Sequence, residues 1–231
     1  VLDVASVRVD GAPAVYRQPN RHELLVRHPL RKGERFRVVV RYSGRPGSIR
    51  ALGVSPFVGG HDEAYALGEP HIGPWWFAAN ETPRDRARFD VRIRVPRGVQ
   101  AVGSGALVDR SRTRRWSTWR WRVDQPVATY LAFFAAGRFA LSREEVDGLT
   151  YRYAVSKLLP REQQTRATEL LRRTPEVVGW LGEQLGAYPF RESGGVVAGR
   201  TLGFALETAG RPVYPFLGGP SATAQAFVIH E

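Results

Sequence analysis

The hydrophobic pattern of this 231-residue chain changes period once, near residue 140, and that change constrains the fold more than any other feature. Before it, apolar and polar residues alternate with period two. Residues 34–42 (Glu-Arg-Phe-Arg-Val-Val-Val-Arg-Tyr) and 88–95 (Arg-Phe-Asp-Val-Arg-Ile-Arg-Val) are runs of this kind. Turn pairs bound them: Asp10 with Gly11, Ser43 with Gly44, Pro46 with Gly47, and Pro96 with Gly98. Residues 116–122 alternate again and put Trp119 and Trp121 on one face, where they read as core. Short strands at this spacing predict an antiparallel β-sandwich or a saddle-shaped sheet.

Beyond residue 140 the period lengthens. Residues 149–155 read as one more strand, and then apolar residues recur at helical spacing: Ala167, Leu170, Leu171, Val177, Val178, Leu181 and Leu185. Pro160 suits a first helical turn, Pro175 marks a kink or a break, and Gly186 fits a helix stop. Two short strands are expected at 194–198 and 202–207, then a loop at 215–220. Ser221 is the expected N-cap of a last helix that carries His230. The predicted class is mostly β followed by α+β. A β domain covers residues 1–140, and residues 141–231 open an α+β domain.

Composition closes several routes to function. With no Cys, disulfides and thiolate chemistry are excluded. The longest apolar stretch, 127–137, is broken by Thr129 and Tyr130 and is too short to span a bilayer. The net charge of +12 would suit nucleic acid, but the cations are spread along the whole chain. Lys32 and Lys157 are the only lysines, so the excess is arginine, a pattern that fits a GC-rich coding bias. The densest cluster, 110–115, reads as a solvated hairpin loop, and no specific nucleic-acid partner is expected. His61, Glu63, Glu69 and His71 lie in a Gly/Pro-rich stretch without metal-ligand spacing and read as a polar loop. No signal-peptide pattern is visible, and the compartment stays open between cytoplasm and secretion, with cytoplasm favoured. Because the chain opens on Val1 and contains no Met, further residues are expected upstream.

The chemistry-bearing motif is at the end. Residues 225–231 form an apolar segment closing on His230 and Glu231. A His-Glu pair is the first half of H-E-x-x-H, in which two His ligate zinc from one helix face and the Glu is general base. Three further segments lie upstream, and the four together, in order, resemble the aminopeptidase N family of zinc metallopeptidases. Residues 203–208 (Gly-Phe-Ala-Leu-Glu-Thr) are similar to the family's G-x-M-E-N exopeptidase motif, with Ala205, Leu206, Glu207 and Thr208 over A-M-E-N. Residues 185–190 (Leu-Gly-Ala-Tyr-Pro-Phe) resemble the segment just before it. Glu69 lies eight residues before Phe77, where the family carries a second Glu, and residues 76–83 fit as well. His230 follows Glu207 by 23 residues, in the zinc-helix position. Thr208 departs from the motif's Asn, and Gly68 and Pro70 depart from the usual flanks of Glu69.

The resemblance implies a role for each of these residues. Glu207 and Glu69, one from each domain, would bind the free α-ammonium of a peptide, with Ala205 and Thr208 along the substrate backbone. At ~4 Å and an effective dielectric near 20, each carboxylate attracts the cation by roughly 4 kcal/mol before desolvation. His230 would be a ligand of one Zn2+, and Glu231 the catalytic base that passes a proton to the leaving amine. The remaining ligands would follow Glu231 in a thermolysin-like metallopeptidase domain, and the first strands of the β domain would precede Val1. The 231-residue chain is therefore expected to be inactive, to bind zinc weakly, and to expose a sheet edge prone to strand pairing. On spacing alone, Glu207 reads as a strand-end surface residue and His230 as a frayed terminal one. The alternative function is a non-catalytic β-sandwich binding module or a degenerate family member.

Overall fold

The computed structural model describes residues 2–231 apart from 21–22, 46, 48–54, 56 and 70–71, so the expectations for Pro46, Pro70 and His71 lie outside the described residues. Strands dominate as far as Ser156. β1 (Leu2–Val9) pairs with β2 (Ala12–Pro13) and β5 (Val38–Gly44), and β3 (Val15–Arg17) pairs with β4 (Leu25–Arg27). A second sheet has the order β6 (Phe57–Gly59), β7 (Ala64–Ala66), β12 (Phe134–Gly137), β9 (Gln100–Gly103). A third places β11 (Trp116–Val127) between β10 (Ala106–Arg112) and β8 (Ala87–Pro96). All of these pairs are antiparallel.

The β11–β8 register sets Trp119 opposite Ile93 and Trp121 opposite Val91. Both indoles point inward and are almost fully buried against Ala101, Val102, Phe133 and Ala135. Each ring removes on the order of 200 Å² from water, a gross gain of about 5 kcal/mol before conformational entropy is counted. The period-two alternation therefore encoded core.

The fourth sheet is mixed. β13 (Phe139–Val146) pairs antiparallel with β14 (Leu149–Ser156), which runs parallel to β15 (Glu192–Val197) and through it to β16 (Val213–Tyr214). Every residue of β15 is buried, as expected for a parallel strand covered on both faces. Ala154 and Val196 face the sandwich core, whereas Tyr153, Val155 and Val197 face the helices. Gly194 has φ +133°, and a Cβ there would lie 1.9 Å from the Arg152 carbonyl oxygen, so only glycine fits this register.

The helical segment is broken where Pro175 predicts. α1 (Arg161–Leu171) buries Ala167, Leu170 and Leu171, and α2 (Thr174–Leu185) begins after the Thr174 hydroxyl donates to the Leu171 carbonyl at 2.6 Å. Pro175 sits in the first turn of α2, and Gly186, with φ +95°, ends it. α3 (Ala222–His230) starts at Ser221, whose hydroxyl accepts from the Ala224 N–H at 3.1 Å.

Three local expectations are corrected. Residues 34–37 are not strand, because β5 starts at Val38. Arg110 and Arg112 belong to β10 rather than to a hairpin loop, since their backbones pair with Trp119 and Ser117. Residues 202–207 form a bend with a single bridge, Leu206 to Val213, rather than a strand. The physical reason is Gly203 at φ +78°, which turns the chain before a ladder can form.

Candidate active site

Three carboxylates from distant segments converge at one end of the mixed sheet. Glu69 follows β7, Glu207 follows the Leu206–Val213 bridge, and Glu231 caps the C-terminus of α3. The Glu231 N–H donates to the Phe227 carbonyl at 3.2 Å, which holds Glu231 on the last turn. His230, immediately before it, is exposed at the end of α3.

Glu69 and Glu207 are set by one shared element, the short 3₁₀ turn Thr129–Leu131. On one side, Gly68 is wedged against that turn, and a Cβ at Gly68 would meet the Tyr130 carbonyl oxygen at 2.2 Å. This contact is why glycine precedes Glu69. The Gly68 carbonyl then accepts from the N–H groups of Ile72 (2.9 Å) and Gly73 (3.0 Å), closing the loop around Glu69. On the other side, the Ala209 N–H donates to the Leu131 carbonyl at 3.0 Å, and the Ala209 carbonyl accepts from the Gly105 N–H at 3.0 Å. The Thr208 hydroxyl donates to the Arg211 carbonyl at 2.8 Å within the same turn, so Thr208 is buried and committed to its own backbone. Ala205 is half-buried and packs against the cluster beneath the helices.

Behind this turn lies a buried ionic pair. Arg211 is fully buried and donates to the carbonyls of Gly103 (2.8 Å) and Gly105 (3.1 Å) and to the Glu192 carboxylate (3.2 Å). Arg152 donates to the same Glu192 oxygen at 2.8 Å, and the Arg211 guanidinium lies 4.8 Å from the Trp121 ring centre. Burial holds the Arg211 pKa below its usual value, while Glu192 opposes the shift. The network ties the Glu207 loop to the sandwich.

The electrostatics of the carboxylates are unfavourable as they stand. Burial, then the charge of Glu207 and a side-chain hydrogen bond with it, then Glu231, push Glu69 up to about 7. Burial and the Glu207 charge likewise raise Glu231, partly offset by His230. The Oε2 atoms of Glu69 and Glu231 are buried and have no hydrogen-bond partner among the described residues. Acids crowded in this way, with shifted pKa values, mark a candidate site whose chemistry favours a cation.

A mostly apolar cavity of about 350 Å³ lies between α2, the 186–189 loop, Tyr214 and Val228, with Glu231 at its wall. Neither Glu69 nor Glu207 lines it, so cavity and carboxylate cluster meet only at Glu231. Of the other sequence candidates, Glu63 is buried and structural. It accepts from the Tyr65 hydroxyl (2.7 Å) and the Gly199 N–H (3.2 Å) and bonds the Ser156 hydroxyl. Sequence reasoning missed the Thr129–Leu131 turn and Arg211. The one local sign of Arg211 is its place between Gly210 and Pro212.

The fold recurs in solved structures. An M1 zinc metallopeptidase from Deinococcus radiodurans superposes with a TM-score of 0.82 at 23% identity, over 99% of this chain and 54% of that one. A two-domain M1 zinc metallopeptidase mutant bound to L-arginine gives 0.80 at 24%, with the same coverage. A mutant from Deinococcus radiodurans bound to a Tyr-Ser-Ala substrate gives 0.80 at 23%, covering 99% and 53%. The chain thus has the fold of M1 zinc metallopeptidases and spans about half the length of these relatives. No protein-family model and no curated protein matches it.

Proposed function

We propose that this chain is part of a zinc-dependent aminopeptidase, similar to aminopeptidase N, that removes N-terminal residues from peptides. The observation that carries the reading is the convergence of Glu69, Glu207 and Glu231, two of them with buried oxygens unpartnered among the described residues. Glu69 and Glu207 hold the α-ammonium of the substrate, a cation that only a free N-terminus offers. Ala205 and the main chain of Thr208 lie beside the substrate backbone, the Thr208 hydroxyl being held by its own turn, and Glu231 is the general base. The division at residue 140 belongs to the same reading, with a β domain leading into a thermolysin-like domain. The structural neighbours include complexes with L-arginine and with a Tyr-Ser-Ala substrate, ligands of the kind such carboxylates would hold.

A catalytic zinc takes three protein ligands, and His230 would be one of them. Among the described residues no group of three or more His, Asp or Glu side chains could hold an ion, so His230 alone does not make a zinc site. As part of the same proposal, the 231-residue chain by itself would not turn over substrate. The test is hydrolysis of aminoacyl anilides by the full-length protein. Glu231→Ala removes turnover, Glu207→Ala chiefly raises KM, and N-acetylated substrates are untouched. Cleavage of N-blocked peptides at rates similar to free ones would overturn the exopeptidase assignment.

A further inference from the structure

A second polar site lies on the sandwich, on elements that carry none of the three carboxylates. The turn between β8 and β9 and the edge strand β10 enclose a cavity of about 180 Å³, lined by Arg97, Gly98, Gln100, Arg110, Arg112 and Ser117. That is several times the ~30 Å³ that a water molecule takes in the liquid. Three exposed arginines line this cavity, and none makes an ion pair or a side-chain hydrogen bond with the described residues. The acid nearest in sequence, Asp109, pairs in register with Arg120 and acts electrostatically on Arg120 instead. Ser117, on the neighbouring strand, is 2% exposed and forms part of the cavity lining.

We propose that this cavity binds a tetrahedral oxyanion, a phosphate or sulfate group, through Arg97, Arg110, Arg112 and the Ser117 hydroxyl. Arg110 is already oriented for the task. Its guanidinium carbon sits 3.8 Å from the centre of the Trp119 ring, so the flat face is spent on the indole and the N–H edge is left to donate. Burial, then the neighbouring Arg112 charge, pulls the Arg110 pKa below its usual value, a repulsion that a bound anion would relieve. The wall beside it is rigid, because the Gln100 carboxamide accepts from the Phe139 N–H at 2.8 Å and donates to the Gly98 carbonyl at 3.3 Å. Arginines on an edge strand also deter strand pairing. That role explains Arg110 and Arg112 on β10, but it needs neither Arg97 from another element nor a cavity between them.

The test is titration of inorganic phosphate into the 231-residue chain by calorimetry and by tryptophan fluorescence, at ionic strength held constant with chloride. Saturable binding is expected, about tenfold or more weaker in the Arg97→Gln/Arg112→Gln double variant, which leaves the Arg110–Trp119 stack in place. Arg143→Gln, which removes a cation paired with Glu145 on another sheet, should bind as the native chain does. Circular dichroism checks the fold of each variant, and the single Arg97→Gln change serves if the double variant unfolds. Methyl phosphate gives a second arm. Equal affinity means the free ion is what the cavity reads, and tighter binding means the group is presented on a larger molecule. No saturable response beyond the chloride control, or equal affinity in native and double-variant chains, overturns the proposal.

Discussion

Replacing Glu69 with glutamine measures how much stability the carboxylate cluster costs. Glu69 is raised from 4.5 to about 7 by burial and by Glu207 and Glu231. A raised carboxyl pKa means that the folded state holds a proton the unfolded chain has lost between those two values. Stability is therefore complete below pH 4.5 and falls as the pH rises through about 7. At ~1.36 kcal/mol per pH unit the full rise is worth about 3 kcal/mol. Glu69 is only partly buried, and solvent screening reduces this to about 1.5 kcal/mol. Urea unfolding followed by tryptophan fluorescence should find Glu69→Gln and the native chain equally stable near pH 4. At pH 8 the variant should be more stable by about that amount. Glu231 also titrates upward, and because its charge acts on Glu69, the difference between the two proteins reads Glu69 together with its coupling to Glu231. Equal stabilities at pH 8 would refute the account, because Glu69 would then not lie in a partly buried position under the charges of Glu207 and Glu231.

Arg211→Met should cost about 3–5 kcal/mol in the same unfolding assay, since it leaves the Gly103 and Gly105 carbonyls without their donor and half of the Glu192 pairing gone. A loss under 1 kcal/mol would mean that Arg152 alone satisfies Glu192. Ser221→Ala removes the side-chain N-cap of α3 and should lower stability by about 1 kcal/mol, with hydrogen exchange fastest at the Ala224 amide. Unchanged protection at Ala224 would place the start of α3 elsewhere.

What the sequence could show was whatever depends on neighbours along the chain. Ser221 reads as a cap because capping is a contact three residues long, and the structure makes that contact with Ala224. Trp119 and Trp121 read as core because alternation on a strand is a local statement about faces. Residues 202–207 failed for the converse reason. Their composition is strand-like, but Gly203 takes a left-handed φ and the pairing partner, Val213, arrives only after the Thr208–Arg211 turn. The convergence of Glu69 with Glu207 was legible only through family resemblance. Its physical cause, the Thr129–Leu131 turn gripped by Gly68 and Ala209, joins three segments far apart in sequence. Arg211 was hidden among many arginines, since nothing in a linear reading separates the buried guanidinium from the exposed ones.

The overall charge and the local charge of this chain point in opposite directions, and distance decides between them. A net charge of +12 repels ammonium groups approaching from far away. At physiological ionic strength that field is screened beyond about 8 Å, whereas carboxylates in direct contact with a ligand are screened far less. Inside the cluster the balance reverses: three acids stand together, two with buried oxygens unpartnered among the described residues, and His230 offsets only part of the burial and charge that act on Glu231. A cation placed among them offsets the burial, and relieves the repulsion by Glu207 and Glu231, that together raise Glu69 to about 7. Binding an amine and releasing the Glu69 proton are then the same event seen from two sides. Amine affinity should rise as the pH climbs through 7, in the direction opposite to the stability of the empty chain. A site that becomes less stable as it becomes more receptive has the electrostatics of a receptor, because the energy lost in folding is recovered only when the cation arrives.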